Sequence, residues 1–209
     1  MKLLILSDIH YPFASMADIT AIIKKEKPDN LLLLGDNIEL EKFSDKKRVY
    51  KHFLSRLSKV FPMEKSIIML GDNDYTYFGG DEVIKILDSF PLMNKGKYFV
   101  FKLGNMVFFH GNLEKSTVME KVGYHFVRHV SKININIAPF ILSTIIRFYF
   151  GLPRQNYLFI GHLHYLGKIW KNVFCGVLNK KSEIFENSSG YVTVKHRGFD
   201  VEEIKLHHL

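Results

Sequence analysis

Five short apolar runs in this chain each stop at Gly, Asp or His. They cover residues 2–7, 31–34, 67–70, 106–109 and 157–160, and they are followed by Asp8, Gly35-Asp36, Gly71-Asp72, His110-Gly111 and Gly161-His162, respectively. Continuous apolar runs of about four to eight residues are typical of strands that are buried on both faces. The runs therefore predict five buried strands, with polar side chains at the strand ends.

Helical patterns lie between these runs. Helices are predicted for residues 16–27, 45–60 and 81–87. The alternation of strands and helices implies an α/β fold, in which ligands usually bind at the loops that follow the strands. The C-terminal third differs, because residues 190–196 and 199–206 predict a hairpin around Arg197-Gly198 and residues 168–178 predict more strand.

Composition limits the function classes. The 209 residues carry 29 Lys and Arg against 21 Asp and Glu, a formal net charge of +8, and this length predicts a single domain over residues 1–209. The single cysteine, Cys175, excludes an internal disulfide and a cysteine-based zinc cluster. The first apolar run is too short for a signal peptide, so we expect a cytoplasmic protein. Its positive charge favours a phosphate ester, a nucleic acid or an acidic membrane surface as partner.

The strand ends supply three carboxylates and four imidazoles. They are Asp8, His10, Asp36, Asp72, His110, His162 and His164. Residues two apart at a strand end point the same way, so we expect Asp8 and His10 to share one ion with one of the last histidines. Such ligands suit Mn²⁺, Fe²⁺, Zn²⁺ or Co²⁺. Seven ligands are too many for one tetrahedral zinc ion. They suit two ions that share a bridging carboxylate and together bind a phosphoryl oxygen.

The ordered motifs resemble those of the calcineurin-like metallophosphoesterases. That family's pattern of D-x-H, G-D, G-N-H-D, H and G-H-x-H is matched within residues 1–166. The resemblance implies a two-sheet sandwich flanked by helices and a phosphoesterase that uses two divalent cations, with Mn²⁺ as the expected metal. It also implies that Asp36 bridges the cations. One cation would be bound by Asp8, His10 and His164, and the other by Asp72, His110 and His162.

The third motif departs from the family pattern, because Gly71-Asp72-Asn73-Asp74 stands where Gly-Asn-His-Asp is usual. Asp72 adds a negative charge that is expected to tighten metal binding. Asn73 replaces a histidine, and an amide has no titrating proton to give a leaving group. We therefore expect catalysis by Asp36, as the bridge, and by Asn73, as a phosphate-orienting residue, on a phosphodiester or a pyrophosphate. A shift of one residue, with Asn73 as the ligand, is the alternative.

Within the family, the chain is similar to the UDP-2,3-diacylglucosamine pyrophosphatases. Residues 35–39 resemble their G-D-x-x-E, and residues 71–75 resemble their G-N-R-D-F. Asn112 follows His110-Gly111 as in their H-G-D, and Arg128 lies in a stretch similar to their Y-x-x-F-R. The resemblance implies cleavage of a nucleotide-linked lipid or sugar pyrophosphate, with Asn73, Asn112 and Arg128 contacting the substrate. It also implies a helical lid inserted at residues 114–154.

The predicted lid is basic and apolar. Residues 115–154 hold six basic residues against one acid. The mostly apolar run 133–152 is interrupted by Pro139 and Arg147, which argues against a membrane span. A basic, apolar helical pair suits a lipid-holding lid or a peripheral contact with the inner face of the membrane. The alternative is a pair of cap helices packed on the core or on a second subunit of a homo-oligomer.

Two other functions stay open at this stage. A nuclease or a cyclic-nucleotide phosphodiesterase would use the same centre on another phosphodiester, and basic residues interleaved with aromatic ones suit nucleic acid. A catalytically inactive phosphoesterase fold would instead be a binding scaffold. The presence of a ligand-type residue at every metal position weighs against the scaffold.

Overall fold

A computed structural model describes residues 1–76, 80–95, 100–111, 129–130, 134–178 and 188–209. The strands are β1 (Lys2–Leu6), β2 (Asn30–Leu34), β3 (Ser66–Met69), β4 (Asn94–Lys95), β5 (Val100–Leu103), β6 (Met106–Phe109), β7 (Tyr157–Ile160), β8 (Leu166–Ile169), β9 (Asn172–Cys175), β10 (Gly190–Arg197) and β11 (Asp200–His208). The helices with described bounds are α1 (Met16–Glu26), α2 (Lys46–Ser58), α3 (Asp72–Thr76), α4 (Gly80–Leu87) and α5 (Ile137–Tyr149).

The strands form two mixed sheets. The first has six strands in the order β11-β10-β1-β2-β3-β4, in which β1 to β4 are parallel and the hairpin β10–β11 adds antiparallel to β1. The second has five strands in the order β5-β6-β7-β9-β8, with β6, β7 and β9 parallel. The fold is the sandwich that the metallophosphoesterase resemblance predicted.

Burial on both faces explains the continuous apolar runs. In β1, Leu3 and Ile5 belong to a cluster shared with the second sheet, whereas Leu4 and Leu6 pack with α1, α2 and α4 on the opposite face. The outer face of the second sheet is covered by α5, whose Ile146 joins residues of β6, β7 and β9 in a third cluster. Because side chains alternate between the faces of a strand, a strand between two apolar layers needs apolar residues at every position.

The helix and strand boundaries follow the sequence closely. The predicted helix 45–60 is shorter, at Lys46–Ser58, because the Asp45 side chain caps its start by accepting from the Arg48 backbone N–H at 2.9 Å. The predicted strand 168–178 divides into β8 and β9, which form an antiparallel hairpin with Trp170 in a left-handed conformation between them. The C-terminal hairpin is confirmed as β10 and β11.

Part of the predicted lid is described. Helix α5 buries Ala138, Pro139, Ser143 and Ile146, and the Arg147 guanidinium donates to the Asn172 side chain at 2.6 Å. This portion of residues 114–154 therefore packs on the core. Most of the rest of the segment lies outside the described residues, so the lid stays a prediction. Within the described parts of the chain, every helix is too short or too polar to cross a membrane.

Candidate metal centre

The polar residues of the five motifs meet at one edge of the sandwich. Asp8 and His10 follow β1, Asp36 follows β2, and Asp72 is the first residue of α3, directly beyond β3. These three strands are parallel neighbours in the first sheet. His110 follows β6, and His162 and His164 follow β7, a parallel pair in the second sheet. The carboxyl ends of parallel strands thus bring residues that are far apart in sequence to one place.

The seven side chains form two groups. In each group, one potential ligand atom per residue lies within 4.8 Å of all the others. The first group is Asp8, His10 and His164. The second group is Asp36, Asp72, His110 and His162. This division matches the ligand sets that the family resemblance implied, and the assignment of these residues as ligands stays a prediction.

Asp36 lies where the two groups meet. Its Oδ2 atom is 3.5 Å from His110 Nε2 in the second group and 4.0 Å from His10 Nε2 in the first. Its side chain is almost fully buried. A carboxylate has two oxygens and can therefore bind two cations at once. This position supports the predicted bridging role of Asp36.

Asp72, rather than Asn73, faces the histidines of the second group. Its Oδ1 atom lies 3.2 Å from His110 Nε2 and 3.3 Å from His162 Nδ1. Asn73 instead donates twice to Asp36, from its backbone N–H to Oδ1 at 3.0 Å and from its side-chain amide to Oδ2 at 3.1 Å. The geometry favours Asp72 as the ligand over the one-residue shift, and it makes Asn73 a residue that positions Asp36.

The backbone at the centre adopts conformations that few residues tolerate. Five of the seven side chains belong to residues with φ between 47° and 63°, in the left-handed region: Asp8, His10, Asp36, His162 and His164. Asp and His enter this region more readily than most residues, and such outliers cluster at functional sites. Glycines allow the close approach of the loops, since a Cβ atom on Gly71 would overlap the Asp36 carboxylate.

Hydrogen bonds outside the two groups orient the histidines. His10 Nδ1 lies 2.9 Å from a carboxylate oxygen of Glu39, and His110 Nδ1 lies 2.7 Å from the carbonyl oxygen of Leu34. Both partners accept a proton from Nδ1, which leaves Nε2 of each ring directed at the other members of its group. Glu39 is part of the G-D-x-x-E pattern, and its role as the orienting partner of His10 was missed from sequence.

A further buried carboxylate, that of Asp74, supports the start of α3, where Asp72 lies. One oxygen of Asp74 accepts from the Gly71 backbone N–H at 3.0 Å and from the Asn37 side-chain amide at 3.1 Å. Burial, first, and the nearby Asp36 carboxylate raise the pKa of Asp74 to about 7. Neither Asn37 nor Asp74 was predicted to have a role. The sequence feature that could have pointed to them is their position in the motifs that also contain Asp36 and Asp72.

The carboxylates control the charge of the histidines. Burial alone would lower the pKa of His10, but its hydrogen bond with Glu39 and the charges of Asp36 and Asp8 raise that pKa to about 9. Burial alone would raise the pKa of Asp8, but the neighbouring histidines, His164 foremost, hold it well below its usual range. A divalent cation has to displace the histidine protons, so cation binding releases protons.

The donor atoms of the first group fit a cation. Asp8 Oδ1 and His10 Nε2 are buried side-chain atoms without a hydrogen-bond partner among the described residues, and they lie 4.0 Å apart. His164 Nε2 is 3.3 Å from the same Asp8 oxygen but lacks hydrogen-bond geometry. An unpartnered buried polar group costs about 1–3 kcal/mol. A divalent cation would satisfy these atoms together, because carboxylate oxygen and imidazole nitrogen are its usual ligands.

Two predicted substrate contacts, Asn112 and Arg128, lie outside the described residues. Their roles stay predictions. The third predicted contact, Asn73, lies in the centre and is partly exposed there.

The family model of the calcineurin-like phosphoesterases matches residues 1–198. The chain therefore belongs to the calcineurin-like phosphoesterase family, and it is a metal-dependent phosphoesterase. This confirms the family that the five motifs indicated. No curated protein matches the chain in sequence.

Solved structures of phosphoesterases share the fold. Yfce, a phosphoesterase from E. coli, is 15% identical with a TM-score of 0.52, and the match covers 98% of both chains. A novel archaeal phosphodiesterase is 12% identical with a TM-score of 0.50, and the match covers 100% of both chains. At these identities the likeness shows the fold and leaves the substrate open.

Substituting Glu39 tests how the first group is oriented. We expect Glu39→Gln to weaken Mn²⁺ binding about 10- to 100-fold, because His10 loses the partner that fixes its ring and raises its basicity. Calorimetry in oxygen-free buffer at about pH 9 measures this, because only about half of His10 is protonated near its pKa and the proton then costs only about twofold in affinity. The matched control is Glu41→Gln, which removes the same charge from an exposed residue two positions away. Equal affinities for the two variants would contradict the orienting role.

Proposed function

We propose that the protein is a two-cation phosphohydrolase that cleaves a phosphodiester or pyrophosphate bond. The observation that carries the proposal is the convergence of three carboxylates and four imidazoles in two groups that meet at Asp36. In the proposed reaction, water adds to one phosphorus atom, the bond from that phosphorus to the ester or bridging oxygen breaks, and that oxygen leaves with the rest of the substrate.

The residues would hold the cations as the two groups suggest. Asp8, His10 and His164 would bind one cation, Asp72, His110 and His162 the other, and Asp36 both. We propose Mn²⁺ on the basis of the mixed oxygen and nitrogen ligands, which also suit Fe²⁺, Zn²⁺ and Co²⁺. Cations in such a site lower the pKa of water and neutralise charge on a phosphoryl group.

Asn73 limits the kind of leaving group. Its backbone N–H donates to one oxygen of Asp36 and its side-chain amide donates to the other. These two hydrogen bonds hold the proposed bridge in place. We propose that the second hydrogen of the side-chain amide orients a phosphate oxygen. An amide has no titrating proton, so the residue in the family's histidine position cannot act as a general acid. A phosphate or an aryl oxide leaves without protonation more readily than an alkoxide, which favours an activated diester or a pyrophosphate.

The resemblance to UDP-2,3-diacylglucosamine pyrophosphatases supports a nucleotide-linked pyrophosphate as the substrate class. The contact between Glu39 and His10 gives a structural reason for the G-D-x-x-E pattern that contributes to this resemblance. A lipid portion of the substrate and peripheral membrane contact depend on residues 114–154. Helix α5 supports that part of the proposal through exposed aromatic side chains, among them Phe148, which is 90% exposed.

Asp36→Asn tests the two-cation proposal. The substitution keeps the shape and an acceptor for the Asn73 backbone N–H, but it removes the charge shared by both groups. We expect elemental analysis to show loss of both Mn²⁺ ions. We also expect turnover of bis(p-nitrophenyl) phosphate to fall more than about 100-fold, because substituting a residue that only hydrogen-bonds a metal ligand already costs about 10- to 100-fold. The control Asp200→Asn removes the same charge from an exposed residue at the start of β11.

Two results would reject this proposal. Full Mn²⁺ content and turnover in Asp36→Asn would rule out the bridge. A wild-type protein that carries two Mn²⁺ ions but hydrolyses no diester or pyrophosphate would be a scaffold rather than an enzyme.

Asn73→His tests the leaving-group argument. We expect wild-type kcat/KM to fall steeply along a series of phosphodiesters as the pKa of the leaving alcohol rises. A histidine supplies a titrating proton, so the variant is expected to gain up to about 100-fold on the poorest leaving groups. Asn73→Gln is the matched control, because it changes the side chain but supplies no proton. Similar rates of cleavage of alkyl and aryl diesters by the wild type would contradict the limit that Asn73 is proposed to set on the leaving group.

A further inference from the structure

A groove of about 460 Å³ lies between the loop that follows β1 and the segment that leads from β2 into α2. Its apolar lining is formed by Tyr11, Pro12, Phe43 and Val49. Its polar lining includes Asp45, Arg48 and His52. None of these residues belongs to the two groups of the candidate metal centre.

Two hydrogen-bonded turns connect the groove to the metal centre. In the first turn, the Phe13 backbone N–H donates to the His10 carbonyl at 2.9 Å, and in the second, the Lys42 backbone N–H donates to the Glu39 carbonyl at 3.3 Å. The side chains of His10 and Glu39 join the turns at one end. At the other end, Lys42 Nζ lies 3.7 Å from the centre of the Phe13 ring. Phe13 and Lys42 do not line the groove themselves but directly adjoin its lining residues Pro12 and Phe43 in the chain, and we call them the rim pair.

The rim pair and the groove present an aromatic surface next to positive charge. Phe13 is 46% exposed even though Lys42 packs against it, so part of its ring remains accessible. Arg48 is exposed at the groove. The only carboxylate among the described lining residues, Asp45, already accepts from the Arg48 backbone N–H. An aromatic ring stacks on a planar base, while lysine and arginine bind phosphate.

We propose that this groove and its rim pair bind the nucleoside phosphate portion of the substrate. The base would stack on Phe13, and Lys42 and Arg48 would neutralise a phosphate that is not being cleaved. The inference rests on the proposed function, because it assigns the substrate's nucleotide portion to a place beside the metal centre. It accounts for an exposed phenylalanine and an exposed lysine on turns that are joined to His10 and Glu39, and for an exposed arginine on the neighbouring helix α2.

Binding to the metal-free protein tests the groove separately from catalysis. The protein is stripped of metal by dialysis against a chelator and titrated with UMP, AMP, ribose 5-phosphate and uridine. We expect UMP and AMP to bind, and we expect ribose 5-phosphate, which lacks a base, and uridine, which lacks a phosphate, to bind about tenfold more weakly. If ribose 5-phosphate binds as tightly as UMP, the groove is a simple anion site and the proposal is wrong.

Variants of the rim pair locate the binding. Phe13→Leu removes the ring and Lys42→Met removes the charge, and each is expected to weaken UMP binding about tenfold. Both side chains are exposed, and an unchanged melting temperature verifies that each variant is folded. The matched controls Phe199→Leu and Lys47→Met change an exposed ring in the β10–β11 turn and an exposed cation on α2. Equal losses in the controls would overturn the proposal.

Activity then separates failure of the groove from failure of the proposed function. In the Mn²⁺-loaded enzyme, kcat/KM is measured for a UDP ester and for bis(p-nitrophenyl) phosphate, and the first value is divided by the second. Lys42→Met is expected to lower this ratio about tenfold. An unchanged ratio overturns the groove assignment, while hydrolysis of both substrates leaves the proposed function standing. UMP binding without hydrolysis of either substrate overturns the claim that the groove serves catalysis.

Discussion

The carboxylate of Asp36 lies between imidazoles that come from two different sheets, and the arrangement of the centre depends on it. Asp36 is 3.5 Å from His110, which follows a strand of the second sheet, and 4.0 Å from His10, which follows a strand of the first. Burial alone would lower the pKa of both rings, but the hydrogen bond with Glu39 and the charges of Asp36 and Asp8 raise the pKa of His10, and the contacts with Asp36 and Asp72 raise that of His110. In the metal-free protein these protons balance the buried negative charge, and a cation that replaces them makes the same contacts more strongly.

The convergence of these side chains requires backbone conformations that are unusual for residues other than glycine. The backbone of Asp36 lies in the left-handed region, and a Cβ atom on Gly71 would overlap the Asp36 carboxylate. The two apolar clusters on either side of the first sheet hold the strand ends that bear this strain. Asn73 and Glu39 then fix Asp36 and His10 by hydrogen bonds from outside the two groups, so these two side chains are oriented by the surrounding structure.

Much of this organisation could be predicted from sequence, because the strands buried on both faces are unbroken apolar runs and the motifs mark their ends. The division of the seven residues into two groups followed from the family resemblance. Glu39, Asn37 and Asp74 were missed as supporting residues, since hydrogen bonds between distant loops leave no periodic pattern. The groove beside Phe13 was also unpredictable, because it depends on how two turns pack in three dimensions. Local spacing could only suggest that Asp72 rather than Asn73 is the ligand.

The most direct test is an anomalous diffraction map, collected near the manganese absorption edge from crystals grown with Mn²⁺. The account predicts two peaks about 3.5–4 Å apart at the carboxyl ends of β1, β2, β3, β6 and β7, with the Asp36 carboxylate in contact with both. The first peak would also contact Asp8, and the second Asp72. A single peak, or two peaks that do not share Asp36, would contradict it.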